Sequence, residues 1–325
     1  MTDEIAIDAA VAALARGEAI GLPTETVYGL AADASNADAV RRIFALKGRP
    51  ADHPLIVHLA EAGWLERWAL EVSPAARSLA ARYWPGPLTL IVKRRPEVLD
   101  VVTGGQDTVG LRVPAHPLAR AIIARFGNAL AAPSANRHGH VSPTTAQHVR
   151  DEFGDAVPIV VDGGDCEVGI ESTIVDVSGA VPRILRPGRI DRASLEATIG
   201  AIESGAVAAS PRAAGTLVAH YAPRTPIELV ASDAFEARLA EHRRAGRRVA
   251  ALARASVPPP HTEGIAAGAS AERYAQALYA ALRALDALAA ERIVIEAPPD
   301  GSDWIAVRDR LMRAAAGAPL DGPGT

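Results

Sequence analysis

Across its first 205 residues the chain alternates short runs of β-branched and apolar residues with longer stretches of helical composition. The short runs predict strands at residues 18–23, 54–59, 88–94, 108–113, 129–134, 158–164, 172–178 and 182–188. The longer stretches predict helices at residues 4–16, 36–46, 74–83, 116–126, 144–153 and 191–203. Ser73-Pro74 and Ser142-Pro143 have the pattern of an N-cap followed by proline at the first helical position. This alternation predicts an α/β domain with a mixed sheet.

A change of composition at residues 206–226 marks the end of this first domain. The segment "AVAASPRAAGTLVAHYAPRTP" is rich in Ala, Pro and Gly and has no clear period, so it predicts a linker. Strand patterns return at residues 226–231, 247–253 and 292–298, and helical patterns at residues 271–290 and 303–316. We therefore predict a domain at residues 1–205, a linker at 206–226 and a smaller α/β domain at 227–325.

Composition excludes several classes of protein. No run of about 18 apolar residues occurs, and the acidic start "MTDEIAIDAA" lacks the pattern of a signal peptide. The single cysteine, Cys166, excludes an internal disulfide and fits a reducing compartment. The net charge of −4 and the 4% aromatic content do not suit a general nucleic-acid binder. We expect a cytoplasmic protein that does not contact a membrane.

The strong motifs for nucleotides and metals are missing. The chain has no G-x-x-x-x-G-K-[ST] loop, no G-x-G-x-x-G after the first strand, no zinc spacing and no G-x-S-x-G turn. What remains are hydroxyls and cations near the ends of predicted strands, where α/β sheets bind ligands. They lie in "PTETVYGL" (23–30), "KGRPADHPL" (47–55), "DTVGLR" (107–112), "PSAN" (133–136), "VSPT" (141–144), "GIEST" (169–173) and "RPG" (186–188).

Lysine is rare, because the chain has 32 arginines and two lysines, Lys47 and Lys93. Lys47 lies two residues before Arg49 in a segment that contains Pro50 and Pro54. Taken singly, each candidate has an ordinary explanation, such as a turn cap, a solvated helix end or a core histidine. Taken together, cations, hydroxyls and helix N-termini are what a polyphosphate requires. A compact ammonium acts on phosphate as a point charge, which the planar guanidinium does not reproduce.

These blocks, with "WPGPLTLIV", "TVGLRVPAHP" and "GIESTIVD", occur in an order that resembles the YrdC family. The "HYAP" segment and the small α/β domain behind it resemble the two-domain form of that family. The resemblance implies a twisted mixed sheet with helices around a concave cavity, a linker that folds over the cavity, and a Rossmann-like C-terminal domain. It also implies a nucleotidyltransferase that makes L-threonylcarbamoyl-AMP from L-threonine, bicarbonate and ATP, with release of pyrophosphate. A separate transferase complex would move the threonylcarbamoyl group to tRNA, to the adenosine beside the anticodon.

The resemblance also assigns site residues by matching position. Lys47 and Arg49 would be catalytic and would contact the ATP phosphates, with Mg²⁺ bound mainly by the nucleotide. The further ATP-binding residues would be Thr108, Ser134, Ser142, Arg186 and Tyr221. The threonine-binding residues would be Thr24, His58, Arg112 and Ser172, with Arg112 as the partner of the carboxylate. His220 and Tyr221 would form a lid. No residue is expected to bind a metal directly.

Two other interpretations stay open at this point. The YrdC scaffold could bind RNA without catalysis, and a weak contact with tRNA is compatible with the enzyme as well. YrdC-like domains also occur in hydrogenase maturation proteins that use carbamoyl phosphate, but those proteins carry zinc segments that one cysteine cannot supply.

Overall fold

The computed structural model describes residues 3–257 and 263–317, which form two compact units. The first unit comprises residues 3–138 and 143–216. The second comprises residues 139–142, 217–257 and 263–317. The predicted linker is therefore divided, with residues 206–216 in the first unit and 217–226 in the second.

The first unit contains a nine-stranded mixed sheet. Its strands are β1 (Ile20–Leu22), β2 (Gly29–Asp33), β3 (Ile56–His58), β4 (Leu88–Lys93), β5 (Thr108–Arg112), β6 (Leu130–Ala131), β7 (Thr173–Asp176), β8 (Arg183–Arg186) and β9 (Glu203–Ser204). The spatial order is β1-β2-β6-β3-β5-β4-β7-β8-β9. The pairs β3–β5, β4–β7 and β8–β9 are parallel, and the other neighbours are antiparallel.

Helices pack against this sheet. They are α1 (Asp3–Ala15), α2 (Ala37–Lys47), α3 (Leu65–Trp68), α4 (Pro74–Tyr83), α5 (Asp100–Thr103), α6 (Pro117–Phe126), α7 (Ala146–Phe153) and α8 (Arg192–Ile199), with 3₁₀ turns at Ala62–Trp64 and Gly154–Ala156. Helix α1 packs on α6, and α4 packs on α8. Their apolar faces cover a core of Leu, Ile, Val and Ala side chains from the central strands.

Two local predictions were wrong, and several short elements of the first unit were not predicted. Residues 158–164 do not form a strand, because Val160 makes only an isolated bridge with Gly21. Strand β2, in "GLAAD", was not predicted. Helix α7 begins at Ala146 rather than after Ser142, because the Thr145 hydroxyl accepts a hydrogen bond from His148 N and acts as the N-cap. The other predicted cap is confirmed, since Ser73 accepts a hydrogen bond from Ala76 N ahead of Pro74 in α4.

The second unit is built on a parallel four-stranded sheet. Its strands are β10 (Ile227–Val230), β11 (Val249–Ala253), β12 (Gly264–Ala266) and β13 (Arg292–Glu296), in the order β10-β13-β11-β12. Its helices are α9 (Phe235–Arg244), α10 (Ala271–Asp286) and α11 (Ile305–Gly317), with a 3₁₀ turn at Ser302–Trp304. Helix α9 and strand β12 were not predicted from the sequence. Within the two described stretches, no helix is long and apolar enough to cross a membrane.

Candidate active site

Adjacent central strands of the first unit place their polar residues at one end of one sheet face. Side chains two residues apart on a strand share a face, so Arg112 on β5 shares its face with Gly110 and Thr108. His58 on β3 pairs with Arg112 in parallel register. Ser172 directly precedes β7, which runs antiparallel to β5, and it lies two residues before Ile174, so the two side chains share a face. The apolar part of this face floors a small cleft that opens to solvent. Its lining comprises Pro54, Leu55, Ile56, Thr89, Ile91, Gln106, Thr108, Gly110, Ile174, Arg212, Ala213 and Ala214.

Arg112 forms a buried ion pair that the sequence did not suggest. Its Nη2 donates to Glu25 Oε1 at 2.6 Å, and both side chains are about 5% exposed. Its Nη1 donates to Thr26 Oγ1 at 2.8 Å, and its Nε donates to the Gly86 carbonyl at 3.2 Å. A guanidinium has five N–H groups, so one N–H on each terminal nitrogen has no protein partner among the described residues. Arg112 can therefore still donate hydrogen bonds to the carboxylate of a ligand.

Thr24 belongs to the same polar group. Its hydroxyl donates to the Val27 carbonyl at 2.6 Å and lies 2.9 Å from the hydroxyl of Thr26, which Arg112 contacts. The turn between β1 and β2 therefore places Thr24, Glu25 and Thr26 close to Arg112. This arrangement supports placing Thr24 and Arg112 at one subsite.

His58 is neutral in this setting. Burial and the neighbouring Arg112 cation lower its pKa from the ordinary value to about 3. Its Nδ1 lies 3.4 Å from the Ile56 carbonyl, which can only accept, so Nδ1 carries the proton and Nε2 is an acceptor. An uncharged imidazole beside a cation can accept a hydrogen bond from an amine or a hydroxyl.

Lys47 is the last residue of α2 and is buried. Gly48 follows it with φ of 62°, and this left-handed conformation ends the helix and returns the chain toward Arg49. The ammonium donates to the carbonyls of Ser134 and Asn136, each at 2.6 Å. Burial, followed by the charge of Arg49, lowers the pKa of Lys47 well below its ordinary value. Its third N–H has no partner in the described part of the chain and can donate to a ligand oxygen.

The neighbours of Lys47 are ordered by the same loops. Arg49 Nη2 donates to the Pro54 carbonyl at 3.1 Å, which anchors the guanidinium against the proline-containing segment. Ser134 forms a bridge with Gly29, which immediately follows Tyr28. Thr108 is half-buried and lines the cleft at the start of β5. Lys47 and Arg49 lie two residues apart, and the Lys47 ammonium contacts the Ser134 carbonyl, so these three predicted ATP residues are neighbours.

Ser172 and Arg186, assigned to different substrates from the sequence, contact each other directly. Arg186 donates to the Ser172 carbonyl from Nε at 3.1 Å and Nη2 at 3.0 Å, and to the Ser172 hydroxyl from Nη2 at 3.1 Å. The Ser172 hydroxyl also lies 2.8 Å from that of Thr89. Gly188 permits this approach, since a Cβ there would lie 2.4 Å from the Thr173 backbone nitrogen.

Residues 212–214 of the predicted linker line the cleft. The Arg212 backbone nitrogen donates to Gln106 Oε1 at 2.6 Å, and Gln106 Nε2 donates to the Arg212 carbonyl at 3.2 Å. Arg186 Nη1 donates to the Ala214 carbonyl at 2.8 Å. This half of the linker is therefore tied to Gln106, which precedes β5, and to Arg186 on β8.

Three predicted site residues belong to the second unit, namely Ser142, His220 and Tyr221. The rings of His220 and Tyr221 meet edge to face with centroids 4.1 Å apart, and both side chains are buried. Tyr221 has φ of 63°, an unusual backbone conformation for a residue other than glycine. The Arg310 guanidinium lies 5.5 Å from the centre of the Tyr221 ring.

The sequence reasoning missed four polar residues that support this site: Glu25, Thr26, Thr89 and Asn136. Glu25 and Thr26 lie in the quoted "PTETVYGL" block, and Asn136 ends "PSAN", but no sequence signal shows which cation each one meets. Thr89 does give a signal, because it is a hydroxyl residue inside the otherwise apolar run "LTLIV". Among residues 3–257 and 263–317, no group of three or more His, Cys, Asp or Glu side chains is arranged to hold a metal ion.

Known families and proteins match almost the whole chain. Residues 12–188 match the family Sua5_yciO_yrdC, described as "Telomere recombination", and residues 190–316 match Sua5_C, described as "Threonylcarbamoyl-AMP synthase, C-terminal domain". The threonylcarbamoyl-AMP synthase of Bacillus subtilis (strain 168) is 39% identical, over 98% of this chain and 96% of its own. A solved structure of P. abyssi Sua5 complexed with L-threonine matches with a TM-score of 0.91 and 36% identity, over 98% of this chain and 96% of its own.

The first unit thus has the expected YrdC-like fold, and a C-terminal α/β domain follows it. The chain belongs to the threonylcarbamoyl-AMP synthase family, in the two-domain form that joins a YrdC-like domain to a Sua5 C-terminal domain.

Proposed function

We propose that this family member synthesises L-threonylcarbamoyl-AMP from L-threonine, bicarbonate and ATP, and releases pyrophosphate. The observation that carries the proposal is the shared sheet face that joins the Arg112 group, neutral His58 and the Ser172–Arg186 pair. A relative of similar length and the same fold has been solved with L-threonine. Both facts support a site built for a small amino acid and an anionic co-substrate.

L-threonine is proposed to bind through its carboxylate to the two remaining N–H groups of Arg112, one on each terminal nitrogen. Glu25 partly neutralises this arginine, which keeps a buried cation stable before the substrate arrives. His58 Nε2 and the hydroxyls of Thr24 and Ser172 provide acceptors and donors for the amine and the side-chain hydroxyl. A site that pairs a substrate hydroxyl discriminates against analogues that lack it.

ATP is proposed to bind through Lys47, Arg49 and Arg186, with hydroxyl contacts from Thr108, Ser134 and Ser142 and a contact from Tyr221. Lys47 retains one N–H for a phosphate oxygen while two protein carbonyls hold the ammonium in place. The approach of a phosphate would raise the pKa of Lys47 toward its ordinary value, because an anion favours the charged form. Mg²⁺ is proposed to enter with the nucleotide, since it is usually bound through substrate phosphates, and it would neutralise phosphate charge there.

The chemistry requires positioning and charge neutralisation more than a protein nucleophile. The threonine amine adds to carbon dioxide with loss of a proton, or to bicarbonate with loss of water, to give a carbamate. A carbamate oxygen then forms a bond with the α-phosphorus, and the bond from that phosphorus to pyrophosphate breaks. Lys47, Arg49 and Arg186 would stabilise the negative charge on the phosphates. A lid formed by His220 and Tyr221 would exclude water and protect the carbamate.

The product is proposed to pass to a tRNA threonylcarbamoyl transferase complex in the cytoplasm, with weak direct contact to tRNA. Cys166 is a buried free thiol, and burial raises its pKa, so it is unreactive and compatible with a reducing compartment.

The test is pyrophosphate release by the purified chain with ATP, Mg²⁺ and bicarbonate, with and without L-threonine. Release that needs both threonine and bicarbonate, together with a product of the mass of threonylcarbamoyl-AMP, is the expected result, and L-serine should be a much poorer substrate. No release in any combination would refute the synthase. A titration with tRNA against salt would then test the non-catalytic RNA binder, for which steep salt dependence is expected.

A further inference from the structure

Residues 139–142 belong to the second unit although the first unit flanks them in sequence. His140 forms a parallel bridge with Ala222, and Ala222 N donates to the Gly139 carbonyl at 2.8 Å. This short loop, which we name the 139–142 loop, therefore pairs with the chain directly after Tyr221. Val141 and Ser142 are buried there.

One arginine of the second unit donates hydrogen bonds to two carbonyls of this loop. Arg283, on α10, donates from Nη2 to the Val141 carbonyl, and its Nε lies 3.5 Å from the Ser142 carbonyl. A charged donor on a neutral carbonyl makes a stronger hydrogen bond than a neutral pair. A planar guanidinium also fixes the direction of its partners, which a flexible ammonium does not. Arg283 thus restrains the carbonyl groups of two consecutive residues, Val141 and Ser142.

Helices α10 and α11 also hold His220 and Tyr221. Tyr279 lies one turn before Arg283 on α10, and its ring centre is 5.6 Å from that of Tyr221. On α11, Arg310 lies near the Tyr221 ring, and the Arg313 carbonyl accepts a hydrogen bond from His220 N at 3.2 Å. Helices α10 and α11 therefore fix the 139–142 loop and the His220–Tyr221 pair relative to each other.

We propose that Arg283 is a positioning residue for ATP: by holding the 139–142 loop it places Ser142 in register with Tyr221. This inference rests on the proposed function in assigning Ser142 and Tyr221 to ATP. Arg283 itself is not proposed to touch any substrate.

The test is Arg283→Ala, with Arg273→Ala as its control. Arg273 is an exposed arginine on the same helix, so the control removes the same charge without touching the loop. Arg283→Ala should raise the KM for ATP about tenfold and leave the KM for L-threonine within about twofold, the size expected for one charge-assisted hydrogen bond. Equal losses for both substrates, or no change for ATP in a folded variant, would overturn the proposal.

Two further measurements separate this inference from the proposed function. Hydrogen exchange of the substrate-free chain should rise about tenfold in the 139–142 loop of Arg283→Ala and stay unchanged in β5. This readout needs no activity, so unchanged exchange refutes the inference even in a chain that makes no product. The double variant with Ser142→Ala should also show a smaller loss of ATP affinity than the product of the single losses. Independent effects would mean that Arg283 does not act through this loop.

Discussion

Replacing Glu25 by glutamine tests whether the buried pair with Arg112 supports the first unit. Glutamine keeps the shape of the side chain but removes its charge. Its amide oxygen can still accept from Arg112 Nη2, but the ordinary hydrogen bond that results is weaker than the charge-assisted one. Its amide nitrogen would face the Ala115 N–H, which now donates to Glu25 Oε2 at 3.0 Å, so two donors would meet.

Each of these losses costs about 1–3 kcal/mol at a buried position, and breaking one side of a buried ion pair costs about 3–5 kcal/mol overall. Because glutamine retains one acceptor, we expect Glu25→Gln to lower the free energy of unfolding by about 3 kcal/mol. Urea is the suitable denaturant because it is uncharged and does not screen ion pairs. Tryptophan fluorescence reports mainly on this unit, since Trp64, Trp68 and Trp84 lie within it and only Trp304 lies in the second unit.

The matched control is Glu71→Gln, which breaks an exposed pair with Lys93 in the same unit. Exposed pairs contribute about 0.2–1 kcal/mol, so the control should unfold close to the unmodified chain. A loss for Glu25→Gln no larger than that of the control would show that burial of the Arg112–Glu25 pair does not stabilise this unit, and the reasoning would fail.

The remaining predictions concern turnover, pH and packing. Lys47→Ala should lower turnover about 100-fold, while Lys93→Ala, which removes the other, exposed lysine, should leave pyrophosphate release unchanged. The folded-state pKa of His58 of about 3 lies below its ordinary 6.5, so the unfolded chain binds the extra proton. The free energy of unfolding should therefore fall by about 1.4 kcal/mol for each pH unit below 6.5. When urea unfolding is measured at several pH values, the plot of this free energy against pH should be less steep for His58→Gln, by the contribution of one proton. Gly188→Ala should destabilise the chain by about 1–3 kcal/mol in thermal or urea unfolding, whereas Gly179→Ala, with open space around its Cβ, should not.

Local pattern predicted most of the regular structure, and the errors have physical causes. The β-branched runs of β4 and β5 stand out because they form central strands buried by their neighbours. Strand β2 has no β-branched residue, and its conformation comes from pairing with β1 and β6. Residues 158–164 have strand composition, but the Tyr28 hydroxyl accepts from Gly163 N and donates to the Gly164 carbonyl. These bonds satisfy backbone groups that a strand would pair with a neighbour.

The candidate site likewise combines residues that the sequence identified with partners that only the fold reveals. The rarity of lysine and the cation–hydroxyl blocks singled out Lys47, Arg112 and Arg186 before any fold was known. Their partners could not be predicted, because Glu25 lies 87 positions from Arg112 and nothing local pairs them. The contact of Ser172 with Arg186 likewise depends on the antiparallel pairing of β7 with β8. Sequence blocks therefore identify which residues matter, and the fold decides which of them meet.

The membership of residues 139–142 in the second unit also limits how such a protein can gain or lose its C-terminal half during evolution. The chain passes from one unit to the other three times, after residues 138, 142 and 216. A gene truncated after residue 216 would encode the loop without Arg283 or Ala222, so its backbone groups would need new partners. Loss of the C-terminal half would therefore leave a four-residue loop, more than 70 positions upstream of the break, to hydrogen-bond with water or to change in sequence.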